Sequence, residues 1–356
     1  MVSTRGRHFL LSLVITILAG CGDDLPEGPA VASEQARISQ DRIDASLAAA
    51  ERYFDNGENE KAETIVLALL KREPDQPRAH ELMASILIAR ADGFTQRGDS
   101  EAAADAFAGA YEHYAALLAK TAPSAGLEQS AGRVALAADL TELALTHFRK
   151  AAELDPADPS NPLLEANLLL QLDRISEARA AIDRAVKLDP EEPYALATLA
   201  MVLAKQGHAT EALERIAEAR ELAGPADKLG IRVVEARLHR QNGDPDRALT
   251  LLLPLSERER GEQAVASEIA ASSIALGQFR QAIDAWAHRY RFTEDWRAAL
   301  AAAEHALSAE QIDEAWRWFR RAELIAPSAH EVRDFYARLR DSSATEDSRT
   351  GSAGGG

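Results

Sequence analysis

The sequence predicts an all-α solenoid of about eight helix–turn–helix repeats, closed by a C-terminal helix. Three observations carry this prediction. The phrase FRKAAELDPADP at 148–159 recurs as IDRAVKLDPEEP at 182–193, a shift of 34 residues, with fainter copies near 65–77 and 319–330. Along the body, a small residue is followed four positions later by a bulky apolar one, which is helical spacing and not strand spacing. The chain is also rich in Ala and poor in aromatics (5%), and no β-hairpin pattern interrupts its body.

Taken in order, residues 1–20 do not belong to the fold. Arg5, Arg7 and His8 form a basic start, and Phe9 to Leu18 form an apolar run shorter than a bilayer-spanning helix. The run ends in Leu18-Ala19-Gly20-Cys21, which resembles the lipobox of bacterial lipoprotein signal peptides. The resemblance implies cleavage before Cys21, acylation of its thiol and a permanent lipid anchor. Gly22, rather than Asp, directly follows the Cys, and this resembles the pattern of export to the outer membrane. Loss of Arg5 and Arg7 would leave 38 basic against 57 acidic residues, a net charge of −19. Residues 21–42 are polar, acidic and interrupted by Pro26 and Pro29, and read as a flexible tether.

The repeat array is expected over 43–327. The small residue in the second helix of each pair falls at Ala62, Ala103, Ala144, Ala178, Ala212, Ala248, Ala282 and Ala315. Its bulky partners are Val66, Phe107, Phe148, Ile182, Ile216, Leu252, Trp286 and Phe319. Matching small residues in the first helices are Ala50, Ala91, Ala166, Ala200, Ala236, Ala270 and Ala303. Gly57, Gly98, Gly207, Gly243 and Gly277 mark turns that need positive φ, and Pro74, Pro156, Pro190 and Pro327 stop second helices. Two early spacings of 41 carry seven extra residues each, two helical turns, which lengthens a helix without rotating its apolar face much. Residues 328–340 read as a capping helix and 341–356 as a disordered tail.

These residues resemble the tetratricopeptide repeat (TPR) family. The resemblance implies a right-handed superhelix whose first helices line a concave groove for protein partners. On that register the groove-facing residues are Asn167, Gln171, Met201, Lys205, Arg237, Arg240 and Gln241. Some family members grip a C-terminal carboxylate with a clamp of Asn and Lys. Here Asn167 matches one clamp position, but Leu163, Thr198 and Val234 stand where its companions belong, so the clamp is not supported. Lys205, Arg237 and Arg240 form the most basic stretch of this expected groove and suit an acidic or carboxylate-bearing segment, against the plainer reading of a solvated helix face. All four Trp lie within 286–318. Trp286 and Phe319 occupy core positions, while Trp318 and Trp296 are candidate partner hot spots, weighed against local packing.

Composition excludes other classes. A net charge of −17 argues against nucleic acid, whose readers carry a basic patch. One Cys excludes an internal disulfide framework and a Cys-based zinc site. Nine scattered His include no metalloprotease pairing, so no metal is expected. Residues 55–60 (DNGENE) lack the ligand spacing of a calcium loop. Dinucleotide, P-loop and nucleophile-elbow motifs are missing, so neither cofactor nor enzymatic activity is expected. The acids at Asp155, Asp158, Asp189, Glu191 and Glu192 follow the repeat and read as turn residues. The expectation is a lipid-anchored, periplasm-facing scaffold or adaptor for an envelope assembly. In arrangement it resembles TPR lipoproteins of pilus assembly, exopolysaccharide export or cell-wall enzyme regulation. A glycan-, peptidoglycan- or peptide-binding lipoprotein is the alternative, and it would call for aromatic side chains in the groove.

Overall fold

The structure is a computed structural model that describes residues 29–97 and 99–353. The expected signal peptide and the lipobox Cys21 lie outside the described residues. Among the described residues every regular element is an α-helix. The chain divides into two units, 1–65 and 66–356, with the division inside the second helix. The first holds α1 (Pro29–Asp55) and the start of α2 (Asn59–Leu70). The second holds the rest of α2 and all later helices.

In chain order these are α3 (Pro77–Arg97), α4 (Ser100–Lys120), α5 (Ala125–Ala137), α6 (Thr141–Leu154), α7 (Ser160–Gln171) and α8 (Ile175–Leu188). They continue as α9 (Pro193–Lys205), α10 (Ala209–Leu222), α11 (Lys228–Gln241), α12 (Pro245–Leu252), α13 (Glu257–Arg260) and α14 (Gln263–Ala275). The last are α15 (Phe279–Thr293), α16 (Trp296–Ser308), α17 (Ile312–Ile325) and α18 (His330–Ala353). Within the second unit α3–α4, α5–α6, α7–α8, α9–α10, α11–α12, α14–α15 and α16–α17 pair as hairpins, and the first helices α7, α9, α11 and α14 touch one another in turn, so the inner layer is continuous over that stretch.

The small residues sit where two helices approach. Seven of the eight second-helix Ala are at most 1% exposed, and Ala103 is 5%. All seven expected first-helix Ala are buried as well. Their bulky partners are buried too, except Phe107 and Trp286, which are half-buried. The extra residues of the early repeats lengthen α3 and α4 to 21 residues each, against 12–14 in α5 to α11. Gly57, Gly207, Gly243 and Gly277 have positive φ as expected and Gly98 lies outside the described residues, while the equivalent turns of three other repeats place Asp139, Asp173 and Glu310 in that region. Pro190 follows α8 by two residues, and the side chain of Asp189 accepts from the Glu191 N–H at 3.1 Å, so the acids here build turns.

Three local features differ from the sequence expectation. Helix α1 begins at Pro29, inside the expected tether, and α18 runs to Ala353, beyond the expected end of the capping helix at 340. Helix α12 is only eight residues long because Pro254 removes a backbone donor. The chain resumes as the short α13, whose Ser256 and Glu259 cap each other's backbone N–H groups. Within the second unit the array also meets itself. Arg297 Nη1 donates to the Thr95 carbonyl at 3.3 Å, and Ser100 Oγ donates to Glu331 Oε1 at 3.4 Å, joining the α3–α4 turn to the starts of α16 and α18.

Candidate partner-binding groove

Helices α5, α7, α9 and α11 each contribute a face to one open cavity of about 320 Å³. Its walls are mostly apolar: Leu163 and Leu164 from α7, Met201 from α9 and Val234 from α11. These positions are accessible because the first helices lie side by side and bury only their other faces, through Ala166, Ala200 and Ala236.

Polar groups are few and specifically placed. Thr198 Oγ1 donates to Asn167 Oδ1 at 2.9 Å. That bond leaves the two donors of the Asn167 amide without a partner among the described residues. Arg133, exposed at the α5 edge, has no carboxylate within ion-pair distance among the described residues. Tyr194 is 40% exposed and stands on the wall near α11. Burial pushes its hydroxyl above the ordinary value, and the neighbouring Asp227 carboxylate adds to the shift. The cavity therefore offers an apolar surface, a free amide donor, a phenol and an unpaired guanidinium.

Of the residues expected to face the groove, Asn167 and Met201 line this cavity and the others do not. Gln171 and Gln241 are exposed at the C-terminal ends of α7 and α11, and Gln241 borders a separate small cleft with Leu213 and Asn242. Lys205 is paired with Asp173 at 2.9 Å. Arg237 and Arg240 both bind Glu268 of α14, at 3.3 and 2.5 Å. Glu268 is 3% exposed, so these two cations compensate a buried acid. The basic patch is thus largely neutralised by its own chain.

Trp296 is not a surface hot spot: it is 2% exposed and packs with Ile283, Ala299 and Phe335, with the Arg297 guanidinium 4.3 Å from its ring centroid. Trp318 is half-buried, edge-on to Tyr290 at 5.7 Å and under the Arg321 guanidinium at 4.3 Å. Sequence reasoning missed Arg133, Leu164 and Tyr194. The 34-residue register could have found Tyr194, because it stands 34 residues after Ser160, which lines the same cavity one repeat earlier.

Nothing in the described residues gathers three or more His, Cys, Asp or Glu side chains into a metal-holding group. His147 is buried, with Nδ1 2.5 Å from Glu128 and Nε2 3.0 Å from the Tyr111 hydroxyl, a packing role within α4, α5 and α6. No helix among the described residues is long and apolar enough to cross a membrane.

The tetratricopeptide repeat family model matches residues 30–86 and 135–202. No curated protein matches the sequence. Among solved structures, yeast Tom70 aligns with a TM-score of 0.54 and 16% identity, over 81% of this chain and 59% of that one. A human IFIT1 dimer with m7Gppp-AAAA aligns at 0.50 and 17%, over 84% and 73%. A tetratricopeptide repeat protein from Parabacteroides merdae aligns at 0.46 and 15%, over 72% and 99%. Tetratricopeptide repeats are matched over those two stretches, and the described residues form an all-α array of the same fold as Tom70.

Proposed function

We propose that this protein is a lipid-anchored envelope scaffold whose groove between α5 and α11 holds an extended segment of a protein partner. The observation that carries the reading is the shared cavity itself. Four consecutive first helices line it, and its free donors at Asn167 and Arg133 suit a peptide carbonyl and a carboxylate. Leu163, Leu164 and Met201 would receive apolar side chains of the segment. No chemistry is assigned to the groove: its groups bind and orient, and the protein acts without a cofactor as an adaptor rather than as an enzyme.

The anchor rests on Leu18-Ala19-Gly20-Cys21 and the basic and apolar stretch before it. Gly22 after the Cys favours the outer membrane, with the repeats facing the periplasm. Within that compartment the combination of anchor and long array suits an assembly or export system of pilus or exopolysaccharide type. Tyr194 in the groove gives the glycan- or peptidoglycan-binding alternative an aromatic that it otherwise lacks.

Co-purification from detergent-solubilised envelopes tests the reading. The wild type should retain a defined envelope protein, and Met201→Glu, which places a charge on the apolar wall, should lose it. Cys21→Ser should leave the protein unlabelled by radioactive palmitate and release it from the membrane fraction. Equal recovery of partners by wild type and Met201→Glu would exclude the groove.

A further inference from the structure

A second cavity lies outside the groove, and its origin is local. Because Pro254 ends α12 early, the four-residue α13 stands against α15 in place of a full second helix, which leaves a gap beside it. The gap is an open pocket of about 580 Å³. Leu253, Ile269 and Ala285 give it an apolar floor, and Trp318 forms one wall.

Its rim is cationic in a chain of net charge −17. Arg280 is occupied, with Glu314 at 2.7 Å and Asp284 at 3.1 Å. Arg260 and Arg291 are different: neither has a carboxylate within ion-pair distance among the described residues. The Arg260 Nε is buried with no hydrogen-bond partner. Arg291 makes only a 3.3 Å contact with His288 Nδ1, whose other ring nitrogen is bound to the Glu257 carbonyl at 2.7 Å. A buried guanidinium nitrogen left unpaired costs free energy unless an acceptor arrives.

We infer that this pocket binds an acidic peptide segment of a partner protein, with an apolar side chain on the Leu253–Ile269 floor against Trp318 and carboxylates on Arg260 and Arg291. Charge complementarity selects the occupant, since the unpaired cations flank the apolar floor and the rest of the chain is strongly acidic. The site stands apart from the inner groove, so it holds whether or not the groove binds a partner.

Fluorescence anisotropy with the full chain in detergent tests this. The probes are labelled Asp/Glu-rich peptides with one central Leu, Phe or Trp, and matched peptides with Ser at the centre. The apolar-centred peptides should bind, weaken with added salt, and lose about tenfold in affinity with Arg291→Glu, with Arg260→Gln and with Trp318→Ala. Met201→Glu in the groove should leave that affinity unchanged. Arg291 is exposed, so Arg291→Glu reads the site without disturbing the fold. Equal binding of the Ser-centred peptides, or unchanged binding by the arginine variants, overturns the assignment. So does a self-association that Arg291→Glu abolishes in the absence of peptide binding, which would give the pocket to a second copy of the chain.

Discussion

Gly132 lies so close to Phe148 that a Cβ built on it would stand 2.7 Å from the ring's Cε1 and 2.9 Å from Cδ1. It holds, one repeat before Ala166, the close-approach position that Ala fills in the other first helices. Phe148 is 2% exposed and has no room to yield. Gly132→Ala should gain about 1 kcal/mol of helix propensity and lose more to overpacking, for a net destabilisation of about 1–2 kcal/mol. Urea unfolding monitored by circular dichroism measures it; a stabilised variant would show that the Phe148 ring shifts freely.

Three inter-helix turns carry side chains where their equivalents carry Gly. Asp139, Asp173 and Glu310 have φ of 62°, 57° and 56°. Left-handed backbone costs an L-residue roughly 1 kcal/mol, less for Asp, whose short side chain tolerates it. Glu310→Gly should therefore raise stability by about 0.5–1 kcal/mol, with smaller gains at Asp139 and Asp173. Gly207→Ala, at φ 85°, should lose about 1 kcal/mol in the same assay.

These turns show what the sequence makes legible. The repeat phase is readable because burial demands Ala at the close approach and a bulky residue one turn on, so period and register emerge together. Gly132, Asp139 and Asp173 escape the pattern because shape and φ, not residue type, are what the fold requires there. The pairing of Arg237 and Arg240 is hidden in the sequence for a different reason. Their partner Glu268 lies 28 and 31 residues beyond Arg240 and Arg237, on the next first helix, and only the packing of adjacent repeats brings them together. Trp296 likewise reads as an end-of-array aromatic until α16 turns it onto Phe335 and Ile283. The outer pocket was invisible because it arises from a helix that stops short.

Buried acids between repeats should differ in their dependence on single partners. Glu235 is held by Arg220 Nη1 at 2.6 Å, while its Oε2 is buried without a hydrogen bond. Glu165 is held by both Arg149 and Arg184. Arg220→Ala should cost about 2 kcal/mol, below the ~3–5 of a fully buried pair because half of the Arg220 side chain faces water. Arg149→Ala should cost less, since Arg184 still meets Glu165. Equal losses in thermal unfolding would refute the distinction.

Two imidazoles make stability fall on the acid side. His113 is held below the ordinary 6.5 by burial and by His80, whose Nδ1 is 2.8 Å from its own, with Glu112 opposing; His305 is lowered by burial, with Glu304 opposing. With a depressed folded value the unfolded chain binds the proton more readily, so this stability is complete above 6.5 and is lost as the pH falls through 6.5 toward the folded values. His113→Gln and His305→Gln should each flatten the dependence of the urea midpoint on pH below 6.5. An unchanged slope in both would assign the acid sensitivity to other groups.

The most direct test of the scaffold reading is site-specific photo-crosslinking in living cells, with benzoylphenylalanine at Met201 inside the groove and at Leu188 on the exposed end of α8. A discrete crosslinked protein is expected at position 201, lost when Tyr194→Ala and Leu163→Glu are added, and none of that species at 188. No crosslink at 201, or the same species at both positions, would contradict a partner-binding groove.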